Sequence, residues 1–170
     1  MSQKAVLTSI DARGVATVTL NRPEVNNAYD ETLIQGLHAA MDELGGNASL
    51  RVVVLRGEGK HFQAGADLKW ITRVAGQSAE ENTRVSRATS LAVHRLNTLP
   101  VPTVALVQGG CFGGGTGIVA ACEVVIAADN ATFDALVAQH AAKRRSAEAT
   151  EGLASFVEKR PASWFTAAAG

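Results

Sequence analysis

This sequence has no surplus of charge. Sixteen Lys and Arg offset sixteen Asp and Glu, so the formal net charge is zero. A basic face for nucleic acid is therefore not expected. Cysteine is scarce too. Cys111 and Cys122 sit in apolar surroundings, and their spacing fits no zinc pattern. No apolar run follows Met1–Ala5, so no secretory leader is read, and a reducing cytoplasm is the expected location. From Leu96 to Cys122 there is no charged residue at all, a stretch long enough to span a membrane. It also holds Pro100, Pro102, Gln108 and six glycines. In lipid those would leave backbone groups unsatisfied, so a strand, a loop and a buried helix are expected instead. What the chain does have is apolar content, 46% over 170 residues. One domain of that size buries roughly 70% of its unfolded surface, and nothing in the composition suggests disorder.

Along the chain, Ala5–Ile10 and Val15–Leu20 alternate around Asp11-Ala12-Arg13-Gly14 and predict a β-hairpin. Asn21-Arg22-Pro23 stops the second strand. Asp30 is placed to cap a helix carrying Leu33, Ile34, Leu37, Met41 and Leu44 on one stripe, ended by Gly45-Gly46. Arg51–Arg56 reads as a short buried strand. A short helix follows from Asp67 to about Ala75. A longer one runs from about Ala79 to Leu99, with Val85, Leu91, Leu96 and Leu99 inward, stopped by Pro100 and Pro102. Glu123–Ala128 is a further strand. Strands alternating with helices predict an α/β fold with parallel pairing. Residues 1–133 form the expected core. Residues 134–170 read as a charged, alanine-rich helical segment with an apolar tail at Trp164 and Phe165.

Two strand–glycine-loop–helix units dominate this pattern. In the first, Val52–Gly57 leads through Gly59, Gly65 and Ala66 to a helix at Asp67. In the second, Thr103–Gly109 leads through Gly110 and Gly113-Gly114-Gly115 to a helix near Thr116. Each lets backbone N–H groups face outward at a helix start, and two such ends together would cradle a developing negative oxygen. The second loop is not a Walker A, because Thr116 stands where lysine is required. It is not a dinucleotide fingerprint, because Ile118 takes the third glycine's place. A tight turn for close packing is the alternative. His61 is read as loop surface or, alternatively, a base. His94 is read as structural, Cys111 as a small packing residue rather than a nucleophile, and Asp67 as a helix cap. Lys60, Lys69, Lys143 and Arg144 are solvated charges or phosphate contacts.

These motifs, in this order, resemble the crotonase (enoyl-CoA hydratase/isomerase) family. The matching runs are Val18–Pro23, Asn27-Ala28, Phe62–Leu68, Pro102–Gly109 into Gly113-Gly114-Gly115, and Ala120–Ala127. The resemblance implies a spiral of ββα turns assembled as trimers or hexamers. It implies an acyl-CoA thioester as substrate, with coenzyme A part of that substrate and no separate cofactor. Carried over, Ala66 N–H and Gly114 N–H are the oxyanion donors. The backbone around Ala64 and through Ala66, Asp67, Leu68 and Lys69 lines the adenine and pantetheine. Each donor would stabilise an enolate-like transition state by roughly 3–4 kcal/mol.

Two departures bear on activity. Many hydratases carry a glutamate soon after the glycine triplet, where this chain has Gly117. After Phe133 the family continues with another turn of sheet and helix and a second glutamate, whereas Asp134–His140 and Ser146–Phe156 resemble the family's final helices. The expectation is a core lacking its last sheet turn. Asp67, Glu123, Asp129 and Asp134 are the candidate replacement carboxylates. The leading function is hydration of a 2-enoyl-CoA, with a branched or glutaconyl-type acyl group as one option. The alternatives are an enoyl-CoA isomerase, a non-catalytic acyl-CoA binder or assembly partner, and a shortened chain that folds poorly with an exposed sheet edge.

Overall fold

The computed structural model describes residues 4–133 and, further on, residues 147, 150, 151, 154, 155, 158–161 and 163. The chain divides into two units, Met1–Asp134 and Ala135–Gly170.

In the first unit, strands β1 (Val6–Ile10) and β2 (Val15–Leu20) form the predicted antiparallel hairpin. Asp11 makes the turn, its Oδ1 accepting from Arg13 N–H and Val15 N–H at 2.9 and 3.0 Å. A short 3₁₀ turn, Pro23–Val25, follows β2. Helix α1 (Glu31–Gly45) starts where Asp30 accepts from Thr32 N–H and Leu33 N–H. It buries Leu33, Ile34, Leu37, Ala40, Met41 and Leu44. Each large apolar side chain so buried contributes up to roughly 1.5–3 kcal/mol.

Strand β3 (Val52–Gly57), helices α2 (Leu68–Ala75) and α3 (Ala79–Asn97), strand β4 (Thr103–Val107), helix α4 (Gly114–Ala120) and strand β5 (Val124–Ala127) complete the unit. The sheet order is β1-β2-β3-β4-β5, with β2 to β5 all parallel. Parallel neighbours end at the same edge, so the loops after β3 and β4 lie side by side. Val53, Leu55, Ala105 and Phe62, all fully buried, anchor that edge to the core.

One expectation needs correction. Leu91 is not inward but 45% exposed; Ala92 and Leu96 take the buried positions on α3. Leu91 and Leu96 are five residues apart, about 140° around the helix, so they cannot share one face. The expected strand at Glu123–Ala128 is present as β5, Val124–Ala127, and its Val124, Val125 and Ile126 are exposed.

In the second unit, Ala147, Thr150, Glu151, Ala154 and Ser155 are helical, and Glu158–Arg160 forms a turn. Arg160 pairs with Glu151 and Glu158 at 2.6 and 2.5 Å. The Arg160 guanidinium, then the Ser163 N–H, hold the Glu151 carboxyl down at about 2. Asp134–Ser146, and with them Lys143 and Arg144, lie outside the described residues.

Candidate active site

The loop after β3 and the loop after β4 are laced together beyond the ends of their strands. Phe62 N–H donates to the Gln108 carbonyl at 2.8 Å, Gln63 N–H to Gly110 at 3.1 Å, and Phe112 N–H to Gln63 at 2.8 Å. The loops touch where each carries a left-handed glycine, Gly65 at φ +88° and Gly113 at φ +53°. A Cβ on Gly113 would lie 3.3 Å from Gly65 Cα, so no larger residue fits there without displacement.

Ala66 and Gly114 each come one residue after those glycines. Tyr29 straps the first of them: Tyr29 N–H donates to Gly65 and Asp67 N–H donates to Tyr29, both at 2.9 Å. That pattern skips Ala66, whose N–H has no hydrogen-bond partner among the described residues. Gly114 opens α4, and its N–H is likewise unpartnered there, while the Gly115 and Thr116 N–H groups turn back to Phe112 and Gly113. Both residues are half-buried. Free N–H groups at such positions await an acceptor.

Tyr29 also ties the two residues through its ring. A Cβ on Gly114 would meet Tyr29 Cε1 at 2.5 Å, so only glycine lets the ring lie there. The ring meets Trp70 edge-on at 5.7 Å between centroids, and burial raises its phenol above the ordinary value. From this point a cavity of about 310 Å³ opens along α1, α3 and α4, lined by Tyr29, Leu33, Leu37, Val93, Gly114, Gly117 and Ile118 among others. Its wall is apolar, suited to an acyl chain. None of the described residues lining it is a carboxylate.

The other expected residues fall around this centre. Ala64 N–H is spent on the Asn26 carbonyl at 3.0 Å, while its own carbonyl accepts nothing among the described residues. Asp67 caps α2 as expected, its Oδ1 taking Lys69 N–H and Trp70 N–H at 3.0 Å. Its other oxygen lies 3.9 Å from Arg22, which also pairs with Asp30 at 3.0 Å. Leu68 is 79% exposed. Lys60 and Lys69 are exposed, and neither makes an ion pair among the described residues.

Of the candidate replacement carboxylates, Asp67 is engaged as a cap, and Glu123 binds Thr103 at the opposite end of β4. Five residues of strand put that end about 16 Å from the loops. Asp129 does not line the cavity, and Asp134 lies outside the described residues. Cys111 is fully buried, and burial pushes its thiol up to about 11, so it packs rather than attacks. His61 departs from its expected place on the loop surface. It is half-buried, and its Nδ1 accepts Gly110 N–H at 2.7 Å. Sequence reading also missed Gln63, which is fully buried, its amide satisfying both Gly65 N–H and Gly65 C=O at 2.7 and 3.1 Å. A glutamine inside a run of small and apolar residues was the available signal.

Among the described residues no group of His, Cys, Asp or Glu could hold a metal ion, and no helix is long and apolar enough to cross a membrane. The enoyl-CoA hydratase/isomerase family model matches residues 11–140. The chain belongs to the enoyl-CoA hydratase/isomerase family. A Thermus thermophilus protein provisionally named an enoyl-CoA hydratase is 41% identical over 120 residues, 71% of this chain and 47% of that protein. The hydroxycinnamoyl-CoA hydratase-lyase of Pseudomonas fluorescens is 38% identical over 122 residues, 71% of this chain and 44% of the relative. A crystal structure of a Legionella pneumophila protein, provisionally named an enoyl-CoA hydratase/isomerase (crotonase), superposes with a TM-score of 0.74 at 38% identity. It covers 78% of this chain and 51% of that one. The crotonase-type α/β fold thus extends through the core, and the chain spans about half the length of the relatives it matches.

Proposed function

We propose that this chain binds an acyl-CoA thioester with its carbonyl oxygen between Ala66 N–H and Gly114 N–H. There it stabilises the enolate formed as water adds to a 2-enoyl group. One observation carries the reading: two half-buried N–H groups, each set after a left-handed glycine on touching loops, have no partner among the described residues, and one of them, that of Gly114, belongs to the lining of an apolar cavity. Such donors lower the energy of the oxyanion more than of the neutral carbonyl, because charge develops on the oxygen only as the reaction proceeds. The acyl chain would lie in the cavity along α1 and α3. The Ala64 carbonyl and the backbone from Asp67 to Lys69 would line the adenine and pantetheine. Coenzyme A enters as part of the substrate, with no separate cofactor, and the working form is a cytoplasmic trimer or hexamer.

Crotonyl-CoA hydration, followed through the lost enoyl absorbance, tests this. Ala66→Pro removes the N–H and keeps a Cβ, and no existing hydrogen bond is broken. It is expected to lower kcat by about 10²–10³ while the unfolding temperature is held. Turnover unaffected by Ala66→Pro would rule the hole out.

A second reading is favoured by the cavity lining, which contains no carboxylate among the described residues. It makes the chain an acyl-CoA binder with little turnover, since a missing general acid–base group costs about 10²–10⁴ in rate. Calorimetric binding of crotonyl-CoA with no hydration and no double-bond migration would decide for it. Isomerisation of a 3-enoyl-CoA without hydration would instead assign the isomerase activity.

A further inference from the structure

His61 lies outside the cavity and has no part in the chemistry above. Its backbone and its ring serve different partners. The His61 carbonyl accepts from Asn27 Nδ2 at 2.9 Å, and Asn27 is fully buried. The ring accepts Gly110 N–H on Nδ1 at 2.7 Å. A backbone N–H only donates, so Nδ1 is the bare nitrogen, and in the neutral ring the proton sits on Nε2. The imidazole fills room that other residues at 109 and 110 would occupy. A Cβ on Gly109 would lie 2.9 Å from Nδ1, and one on Gly110 3.1 Å from it. Gly109 also has φ +55°, a conformation that favours glycine. The ring therefore joins the first loop to the start of the second, just upstream of Gly113 and Gly114.

We infer that His61 is a positioning residue of the oxyanion hole: its neutral imidazole holds the second glycine loop against the first, and so sets the placement of Gly114 N–H relative to Ala66 N–H. The hydrogen bonds between Gln63, Gly110 and Phe112 fix the strands of the two loops to each other. The imidazole adds the one side-chain tie from His61 to the Gly110 N–H, which would otherwise face the ring without an acceptor.

The role rests on the hole proposed above, and one titration series separates the two. The whole chain is titrated with acetoacetyl-CoA, which enolises and whose enolate absorbs in the ultraviolet, and with butyryl-CoA, which does not enolise at neutral pH. The wild-type protein is expected to prefer acetoacetyl-CoA and to raise its enolate absorbance. Absence of that preference overturns the hole, and the role of His61 with it. Given the preference, His61→Leu is expected to cut it about tenfold, with butyryl-CoA affinity unchanged. His61→Asn, whose amide oxygen can stand in for Nδ1, restores it. His61→Gln, whose amide reaches towards the Nε2 position, does not. A preference retained in His61→Leu overturns the role of His61 alone. So does an equal loss for both ligands, which a plain structural anchor would give, and so does equal rescue by Asn and Gln. Should His61→Leu fail to unfold cooperatively, the Asn and Gln variants decide the matter by the same comparison.

Discussion

Gly117 is exposed, lines the cavity, and has nothing within 4 Å of the place where a Cβ would stand. It is therefore the position at which a side chain can be added to the cavity without moving anything. Glutamate there would supply the carboxylate that the lining lacks, and replacing a helical glycine is itself favourable by roughly 0.5–1 kcal/mol. Gly117→Glu is expected to raise crotonyl-CoA hydration by about 10²-fold, read as the initial rate at saturating thioester. An unchanged rate would mean that water placement, not a missing acid–base group, limits the chain. The contrast with Gly114 is steric. At Gly114 a Cβ collides with Tyr29 at 2.5 Å, so two glycines three residues apart on one helix have opposite tolerance. Both look alike in the sequence, because the tyrosine that separates them lies far away along the chain.

At the scale of elements, β4 and β5 are joined at their starts by Glu123. Its carboxylate accepts Thr103 N–H at 2.7 Å and also the Thr103 hydroxyl. The hydroxyl bond first, and then the backbone bond, hold this carboxyl below the usual glutamate range. A carboxyl depressed on folding contributes stability above its unfolded value, and loses it as pH falls through the folded value. The urea midpoint is therefore expected to fall as pH drops below about 4.3. Glu123→Gln should have a lower midpoint at neutral pH and a flatter acid limb, both read from denaturation curves. An acid limb identical in the two proteins would show that the Thr103 bonds carry no such linkage. The elements themselves were readable in advance. The β1–β2 hairpin, the Asp30 and Asp67 caps, and the glycine-punctuated strands declare themselves within a few residues. Which residue of α3 faces inward did not: Leu91 lies exposed and Ala92 buried because the packing against α1 chose the face.

For the whole molecule, the sheet runs from the β1 edge to β5, and β5 is the weak side. Val124, Val125 and Ile126 are 47%, 43% and 57% exposed, and the strand carries no charge and no proline. An uncovered apolar parallel edge is a template for another strand. The protein is expected to associate with rising concentration. Ile126→Lys should weaken that association in sedimentation velocity while leaving the thermal transition in place, since the side chain is already in solvent. Association unchanged by the lysine would place the contact elsewhere.

The sequence by itself determined the order of strands and helices, the two glycine-bearing loops and the family. Each of these is a local matter, set by periodicity, caps and φ-permissive residues. Only the tertiary structure decided what those loops do together. The Gly65–Gly113 contact, the ring of Tyr29 over Gly114 and the imidazole of His61 on Gly110 join residues about fifty or more positions apart. Such meetings follow from the register of parallel strands β3 and β4, which brings both loops to one sheet edge. The parallel register of β4 and β5 sends Glu123 to the far end of β4, which is why a carboxylate visible in the sequence does not reach the cavity.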